Sequence, residues 1–345
     1  MSKTKRKMNM DAKAIMDSKL INQVIVGDMR TDGVEDASVF FARELDHVKA
    51  KSYDRLYPEM TSFSLFPHTS DADPGDETIT AYSFDRVGIA QIINNYATDM
   101  PRADVKGKPF TSQIKSVGAS YGYSVQELRA SRKSGKGLDH RRAESAKYAV
   151  DYVLNKIAWA GDPEHNLMGV LTTTNNIPYK VVDGATNGAG STVYKWKDKT
   201  ADQILADING FMETVSRNTK NVERPDTLAI PTDVFIDIST RRIPDTDTTV
   251  KDFVLDHAPY LKSIEPAAEL NADSYDTNPL STIATPVNVA FFFTKDADKF
   301  AVEDPLPYLQ HTVQERNLEM IVPVEARTAG AIIYYPMSAL IVTGI

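Results

Sequence analysis

The chain has 345 residues, 42% hydrophobic and 25% charged, which suits two or three compact units with a sizeable core. It contains no cysteine, which excludes disulfides, thiolate metal sites and cysteine nucleophiles. Its formal net charge of −8 argues against nucleic-acid binding by bulk electrostatics, and no apolar run reaches the roughly 18 residues that span a bilayer.

The first stretch, MSKTKRKMNM, is basic with no apolar region after it, so it does not read as a secretory signal and points to cytosolic synthesis. Lys3, Lys5, Arg6, Lys7 and Lys13 face a single acid, Asp11, which suits either a solvated tail or an arm on an anionic partner. Val39, Phe40, Ala42, Leu45 and Val48 suit one face of a helix ending before Tyr57-Pro58. Phe63, Leu65 and Pro67 alternate with Ser62, Ser64 and Phe66, which predicts a strand. Asp71 to Glu77 reads as a turn, and the β-branched and aromatic run Thr78 to Asp85 as a strand. Val87 to Asn95 fits strand and helix equally. Thr98 to Gly107 is polar and turn-rich, and Pro109 to Tyr123 is extended. This excursion has too little apolar content for a core of its own, so another chain or domain must stabilise it.

Tyr123 to Ser131 predicts a short helix with Ser124 and Glu127 as a capping box. A longer helix follows, from an N-cap at Asp139 to a left-handed C-cap at Gly161. Ala146, Val150, Val153 and Ile157 form its expected apolar stripe, widened by Ala149, Leu154 and Ala158. About 21 residues at 1.5 Å each give a rod of about 31 Å. Gly161-Asp162-Pro163-Glu164 ends it, and Leu167-Met168-Gly169-Val170-Leu171 follows. Residues 172–198 show no core pattern. Thr200 to Asn218 predicts a second helix through Ile204, Leu205, Ile208, Phe211, Met212 and Val215. Thr227 to Pro231 suits a buried strand and Thr232 to Ser239 a short helix. Strands are expected at Leu261 to Ile264, Val287 to Thr294, Gln310 to Val324 and Ala331 to Ile345.

Three local patterns look chemical. Gly118-x-Ser120-x-Gly122 matches the serine nucleophile elbow, with an extended run before it and a helix after. No oxyanion-type glycine run precedes it, and His140, His165, His257 and His311 sit in no triad setting, so it reads as a strand–helix junction. Ser134-Gly135-Lys136-Gly137 lacks both the first glycine and the Ser/Thr of a P-loop. Around it Arg129, Arg132, Lys133, Lys136, Arg141 and Arg142 face Asp139 alone, which suits a solvated loop or an anionic neighbour. Asp71-x-Asp73 and Asp245-x-Asp247 do not continue as calcium loops and read as turns. No catalytic, cofactor-binding or metal-binding residue is expected.

The order of parts, with Tyr123 to Ser131, the long helix to Gly161-Asp162, Leu167 to Leu171, and the ending Ala331-Ile332-Ile333-Tyr334-Tyr335-Pro336-Met337-Ser338-Ala339, resembles the major capsid proteins of tailed bacteriophages. These have the Hong Kong 97-type fold, shared with encapsulins. The resemblance implies an α+β chain with an N-terminal arm and helix (1–60), an extended β-loop (61–122) and a peripheral domain (123–198) with a spine helix at 139–160. An axial domain (199–305) and return strands (306–345) complete it. It implies no enzyme. It implies self-assembly into hexamers and pentamers of an icosahedral phage head around double-stranded DNA. Portal protein, and scaffold or decoration proteins, are further expected partners; a membrane is not. By this likeness the chain is made in the host cytoplasm and resides in the virion, with Lys3, Lys5, Arg6 and Lys7 expected on the packaged DNA. With no scaffolding coiled coil seen ahead of the arm, the resemblance implies a separate scaffold, or none. Lys106 and Lys108 lie in the extended loop, where some members cross-link Lys to Asn, but no partner Asn is identifiable. An encapsulin-like compartment is the nearest alternative, and a serine hydrolase using Ser120 a distant one.

Overall fold

The computed structural model describes residues 57–87, 104–134, 141–186 and 190–345. All but the last residue of the expected arm helix at 35–57, the Asp139 cap and the basic arm therefore lie outside the described residues. The chain divides into two compact units. The larger takes in Glu59–Ser120, Ala143–His311 and Val324–Ile345.

Its centre is a five-stranded mixed sheet. In spatial order the strands are β5 (Tyr179–Val181), β16 (Ala339–Thr343), β10 (Val289–Phe293), β8 (Thr227–Ile230) and β9 (Ser263–Pro266). Both outer pairs are parallel and both inner pairs antiparallel. Strand alternation sends successive residues to opposite faces, and in the three inner strands, β16, β10 and β8, every residue is buried, whereas Tyr179 and Val181 of β5 and Glu265 of β9 are exposed. Leu228, Ile230, Ala290, Phe292, Leu340 and Val342 face a core built with three helices, α4 (Ala201–Asn218), α5 (Thr232–Thr240) and α6 (Val250–His257). Ile204, Ile208, Phe211 and Val215 supply the helical side, as the sequence stripe predicts. Thr200 and Gln203 close a capping box at the start of α4. Ala229, Phe291, Phe293 and Ile341 face the other way, onto Phe66, Trp159, Val170, Leu171 and Phe300. The Phe66 and Trp159 rings are 4.5 Å apart between centroids.

Trp159 comes from the spine helix, α3 (Arg141–Ala160). Its buried residues are Ala146, Val150, Leu154, Asn155, Ile157, Ala158 and Trp159. Val153 is exposed, against expectation, and so is Ala149. They lie just past the edge of the stripe, which widens only toward the C-terminal end. There the chain turns at Gly161, whose φ of +74° favours glycine. The return segment packs backbone to backbone against the helix end. A Cβ at Gly169 would lie 2.2 Å from the Gly161 nitrogen, and one at Gly161 would lie 2.6 Å from the Gly169 nitrogen. This closeness lets Val170 N–H donate to Ala158 C=O at 2.9 Å and Leu171 N–H to Trp159 C=O at 2.8 Å. Carbonyls that the helix end would orphan are thus satisfied.

A second sheet runs β1 (His68–Thr69), β11 (Phe300–Glu303), β15 (Gly330–Ile333). A third has β12 (Leu306–Gln310), β14 (Glu319–Thr328) and β13 (Gln314–Arg316), with β4 (Lys115–Ser124) also on β14. The long strand expected at Gln310 to Val324 is therefore broken. Asn317, at φ +57°, makes a hairpin turn between paired Arg316 and Glu319. The terminal strand is also broken, by a 3-10 turn at Pro336–Ser338.

Residues 62–65 form a one-turn helix, α1 (Ser62–Leu65), in place of the expected strand. Tertiary contacts override the alternation: Leu65 and Phe66, neighbours in sequence, are both buried. The Asn155 side-chain oxygen accepts from Ser62 N–H at 3.1 Å, and the buried Glu269 carboxylate accepts from Thr61 N–H at 3.0 Å. Residues 172–198 do contribute to the core, since Val182 and Trp196 are buried in it. Trp196 Nε1 donates to Asp207, whose carboxyl burial pushes up even though Lys199 lies 2.6 Å away. The sequence pattern also misses α6, although Thr249 caps it by accepting from Asp252 N–H at 3.2 Å.

The smaller unit takes in, among described residues, 121–134, 141–142 and Thr312–Pro323. Helix α2 (Val125–Ser134) starts with the predicted capping box: Ser124 N–H donates to Glu127 at 3.0 Å, and Glu127 N–H to Ser124 Oγ at 3.1 Å. Hydrogen bonds from Arg142, and then from the Ser124 N–H, hold the Glu127 carboxyl at about 2.

Val150 is 1% exposed and Val153 37% exposed. Val150→Asp buries an unpaired charge and is expected to cost several kcal/mol, giving insoluble protein. Val153→Asp is expected to stay soluble and to melt within a few degrees of wild type. Equal solubility and melting temperature for the two variants would show that the spine faces the other way.

Candidate functional site

Strands β2 (Thr78–Val87) and β3 (Asp104–Gln113) pair antiparallel from Thr78↔Gln113 to Val87↔Asp104, ten rungs without a bulge. At about 3.4 Å per residue the ribbon is about 34 Å long. Among the described residues it pairs with no other strand. The start of β3 corrects the expected turn: 104–107 are strand, and 98–103 lie outside the described residues.

The root is firmly held. Ile79 and Phe110 pack on Ile114, Ala329 and Ile332, and the Phe110 and Tyr334 rings lie 6.1 Å apart. Ser112 Oγ donates to Ala329 C=O at 3.0 Å. The preceding segment is tied by the fully buried Glu303, whose carboxylate accepts from Asp71 N–H at 2.6 Å, Ala72 N–H at 2.9 Å and Thr69 Oγ1 at 2.5 Å. Burial pushes the Tyr334 phenol above its usual range, and the Glu303, Asp71 and Asp298 charges add to this. Asp71 and Asp73 are turn residues as expected, with Asp73 Oδ1 accepting from Gly75 N–H at 3.0 Å.

Beyond the root the ribbon carries large exposed side chains among the described residues. Tyr82, Phe84 and Val105 are 65%, 68% and 59% exposed. The register puts them on one face with Pro109 and Gly107, because Tyr82 opposes Pro109 and Phe84 opposes Gly107. The Tyr82 and Phe84 rings stack at 6.3 Å and 18°. Phe84 lies over Gly107, where an added Cβ would come within 2.9 Å of the ring. The result is a flat, preorganised apolar strip on a narrow ribbon. Sequence reasoning identified the excursion but not this strip. The signal was available: even positions from Thr78 to Phe84 fall on one face, and two of them are aromatic.

Among the described residues, the other singled-out residues gather into no site. Ser120 lies within β4, which continues to Ser124, so it does not stand on a strand-to-helix turn. Its hydrolase reading loses the geometry that motivated it. His165 pairs with Asp162 at 2.6 Å, and His311 with Glu325 at 3.1 Å, both on the surface. Asp245 is a turn residue at φ +62°, and Asp247 pairs with Arg242 at 3.5 Å. Lys106 and Lys108 are opposite Asp85 and Ser83 by register. Among the described residues no group of three or more His, Asp or Glu is arranged to hold a metal, and no helix is long and apolar enough to cross a membrane. Lys3, Lys5, Arg6 and Lys7 lie outside the described residues.

The fold is shared with solved capsid structures. The capsid of Myoviridae phage XM1 matches with a TM-score of 0.71 at 13% identity, over 92% of this chain and 100% of that one. Mycobacterium phage Ogopogo matches at 0.57 and 14% identity, over 90% and 99%. The capsid of a native GTA particle matches at 0.58 and 7% identity, over 92% and 99%. No curated protein sequence matches. This is therefore an α+β chain of the Hong Kong 97 capsid type. A family model, described as major capsid protein, matches residues 88–345, and the chain belongs to that family. It is a phage major capsid protein, of a structural class of proteins.

Glu303→Ala removes the acceptor for two backbone donors and a hydroxyl at the ribbon root. The expected loss is about 2–3 kcal/mol in denaturant unfolding, with faster proteolysis between residues 69 and 77. An unchanged unfolding midpoint would show that the root is held by its apolar contacts alone.

Proposed function

We propose that the chain works by tiling: copies assemble into hexamers and pentamers of an icosahedral head enclosing double-stranded DNA, with the ribbon of each copy laid on the next. The observation that carries this reading is the exposed, stacked pair Tyr82 and Phe84 on a ribbon whose root packs on Ile114, Ala329 and Ile332. A two-stranded ribbon is marginal alone in water, and a free edge invites pairing. Covering each of these side chains contributes about 1.5–3 kcal/mol. That is modest for one contact, but symmetry repeats it in every subunit. Residues 1–60 would act as an arm, with Lys3, Lys5, Arg6 and Lys7 on the DNA, and 61–122 as the extended loop. The segments 123–198, with its spine helix, and 306–345 would form the peripheral domain, and 199–305 the axial domain. Portal protein, and scaffold or decoration proteins, complete the partners. Synthesis in the host cytoplasm precedes residence in the virion.

The register shows where the ribbon can be cut. Ala81 and Phe110 are direct partners, so joining them through Asn-Gly makes a two-residue hairpin and keeps the root. This variant is expected to be soluble, with near-native circular dichroism, and to elute as monomers or capsomers. Tyr82→Ser/Phe84→Ser is expected to weaken assembly in the same direction. Closed particles of normal size from the shortened chain would rule out the ribbon as the clamp.

Replacing Lys3, Lys5, Arg6 and Lys7 by Gln is expected to spare folding and lower DNA retention in a salt-dependent way. Retention equal to wild type at every salt concentration would remove the arm from the DNA contact.

A further inference from the structure

We propose that the exposed end of α2 is a phosphate-contacting patch for the enclosed duplex DNA; this deepens the shell reading above and rests on it. Among the described residues, the buried anchor of the helix lies at its start. Val125 and Leu128 are buried, and Val125 N–H donates to Leu318 C=O at 2.9 Å. From there on its cations stand in solvent: Arg129, Arg132 and Lys133 are all exposed. Spacings of three and four put the three on one face, with Cβ atoms about 5–6 Å apart. Among the described residues none of the three has an ion-pair or hydrogen-bond partner.

The nearby acid is already committed. Glu127 accepts from Arg142 at 2.7 and 3.0 Å and from Ser124 N–H at 3.0 Å. Arg142 also lies over the Tyr123 ring, 5.0 Å from its centroid. The described residues of the smaller unit hold six Lys or Arg against three Glu, in a chain whose formal net charge is −8. The positive field is therefore local to this unit and opposite in sign to the whole molecule.

The chemistry of the face selects the occupant. Protein interfaces need apolar or aromatic anchors at a centre depleted of charge. Here only Ala130 and Ser131 lie between the cations, and the buried Val125 and Leu128 belong to the anchor. A DNA backbone asks for no such anchor. It needs spaced positive charge, gives affinity by counterion release and carries no sequence demand. The same residues explain why two arginines open α3 against its dipole: Arg142 is held by Glu127, and the cations of α2 point to a polyanion outside the subunit.

The test uses dispersed full-length subunits titrated with short random-sequence duplex DNA over a range of salt. Arg129→Gln/Arg132→Gln/Lys133→Gln is expected to make the slope of log K against log salt shallower by about 2.7, three contacts at about 0.9 each. Arg129→Lys/Arg132→Lys/Lys133→Arg, which keeps the charges, should retain the wild-type slope. An unchanged slope in the glutamine variant overturns the proposal. An unchanged slope together with lost particle formation overturns it in favour of an acidic face on a neighbouring copy. Wild-type particles are imaged in parallel. Their absence would strike the shell reading, whereas the slope difference judges the patch independently.

Discussion

The contact between Gly161 and Gly169 is the point on which the packing of the larger unit depends. Two backbones can lie this close only where neither carries a Cβ. The contact returns the chain under the spine helix and delivers the Val170 and Leu171 amides to the carbonyls of Ala158 and Trp159. It thereby fixes Trp159 against Phe66 on the aromatic side of the central sheet. The same segment then reaches β15: Met168 C=O accepts from Ala331 N–H at 2.7 Å, beside Gly330 at φ +73°. A Cβ on Gly330 would sit 2.4 Å from the Met168 oxygen. Three glycines thus let the helix end, its return and an outer strand share one small volume, and side chains larger than hydrogen at these positions would force them apart.

A rigid body of this kind is what makes the ribbon intelligible. The three inner strands of the central sheet are buried on both faces, so they have no further apolar surface to offer. The ribbon is the opposite case, since Tyr82 and Phe84 on its outer part are exposed. Its aromatic strip is nevertheless ordered, with Phe84 over Gly107 and Tyr82 stacked beside it. Preorganisation of this sort lowers the entropy lost when a partner arrives. The buried Glu303 at the root limits movement of the segment that feeds β2. Stability therefore resides in the glycine contact and the two cores, which hold the larger unit, while the strip stays exposed.

Much of this was legible in the sequence, for identifiable reasons. Helix α4 was, because six apolar residues recur at helical spacing over Thr200 to Asn218. The capping box of α2 and the left-handed Gly161 were, because local hydrogen bonding and backbone sterics decide them. The Gly161-to-Leu171 segment stood out as a pattern, but its cause, backbone contact across eight residues, shows only in three dimensions. Val153 failed because a stripe read at steps of three and four does not say where its edge falls. The strand expected at 63–67 failed because Asn155 and Glu269, far away in sequence, supply the acceptors that favour a helical turn. The break at Asn317 went unread because a single Asn in a polar run is weak turn evidence. The apolar strip was half legible: the excursion's low core content followed from its composition, and its apolar face needed the register.

The central claim is that the strip is open in the free subunit and covered in the particle. Hydroxyl-radical footprinting of both states, read at Tyr82 and Phe84 with the buried Phe292 as internal reference, measures this directly. The account predicts a several-fold fall in labelling of Tyr82 and Phe84 on assembly, with Phe292 unlabelled throughout. Equal labelling of Tyr82 and Phe84 in subunit and particle would contradict it.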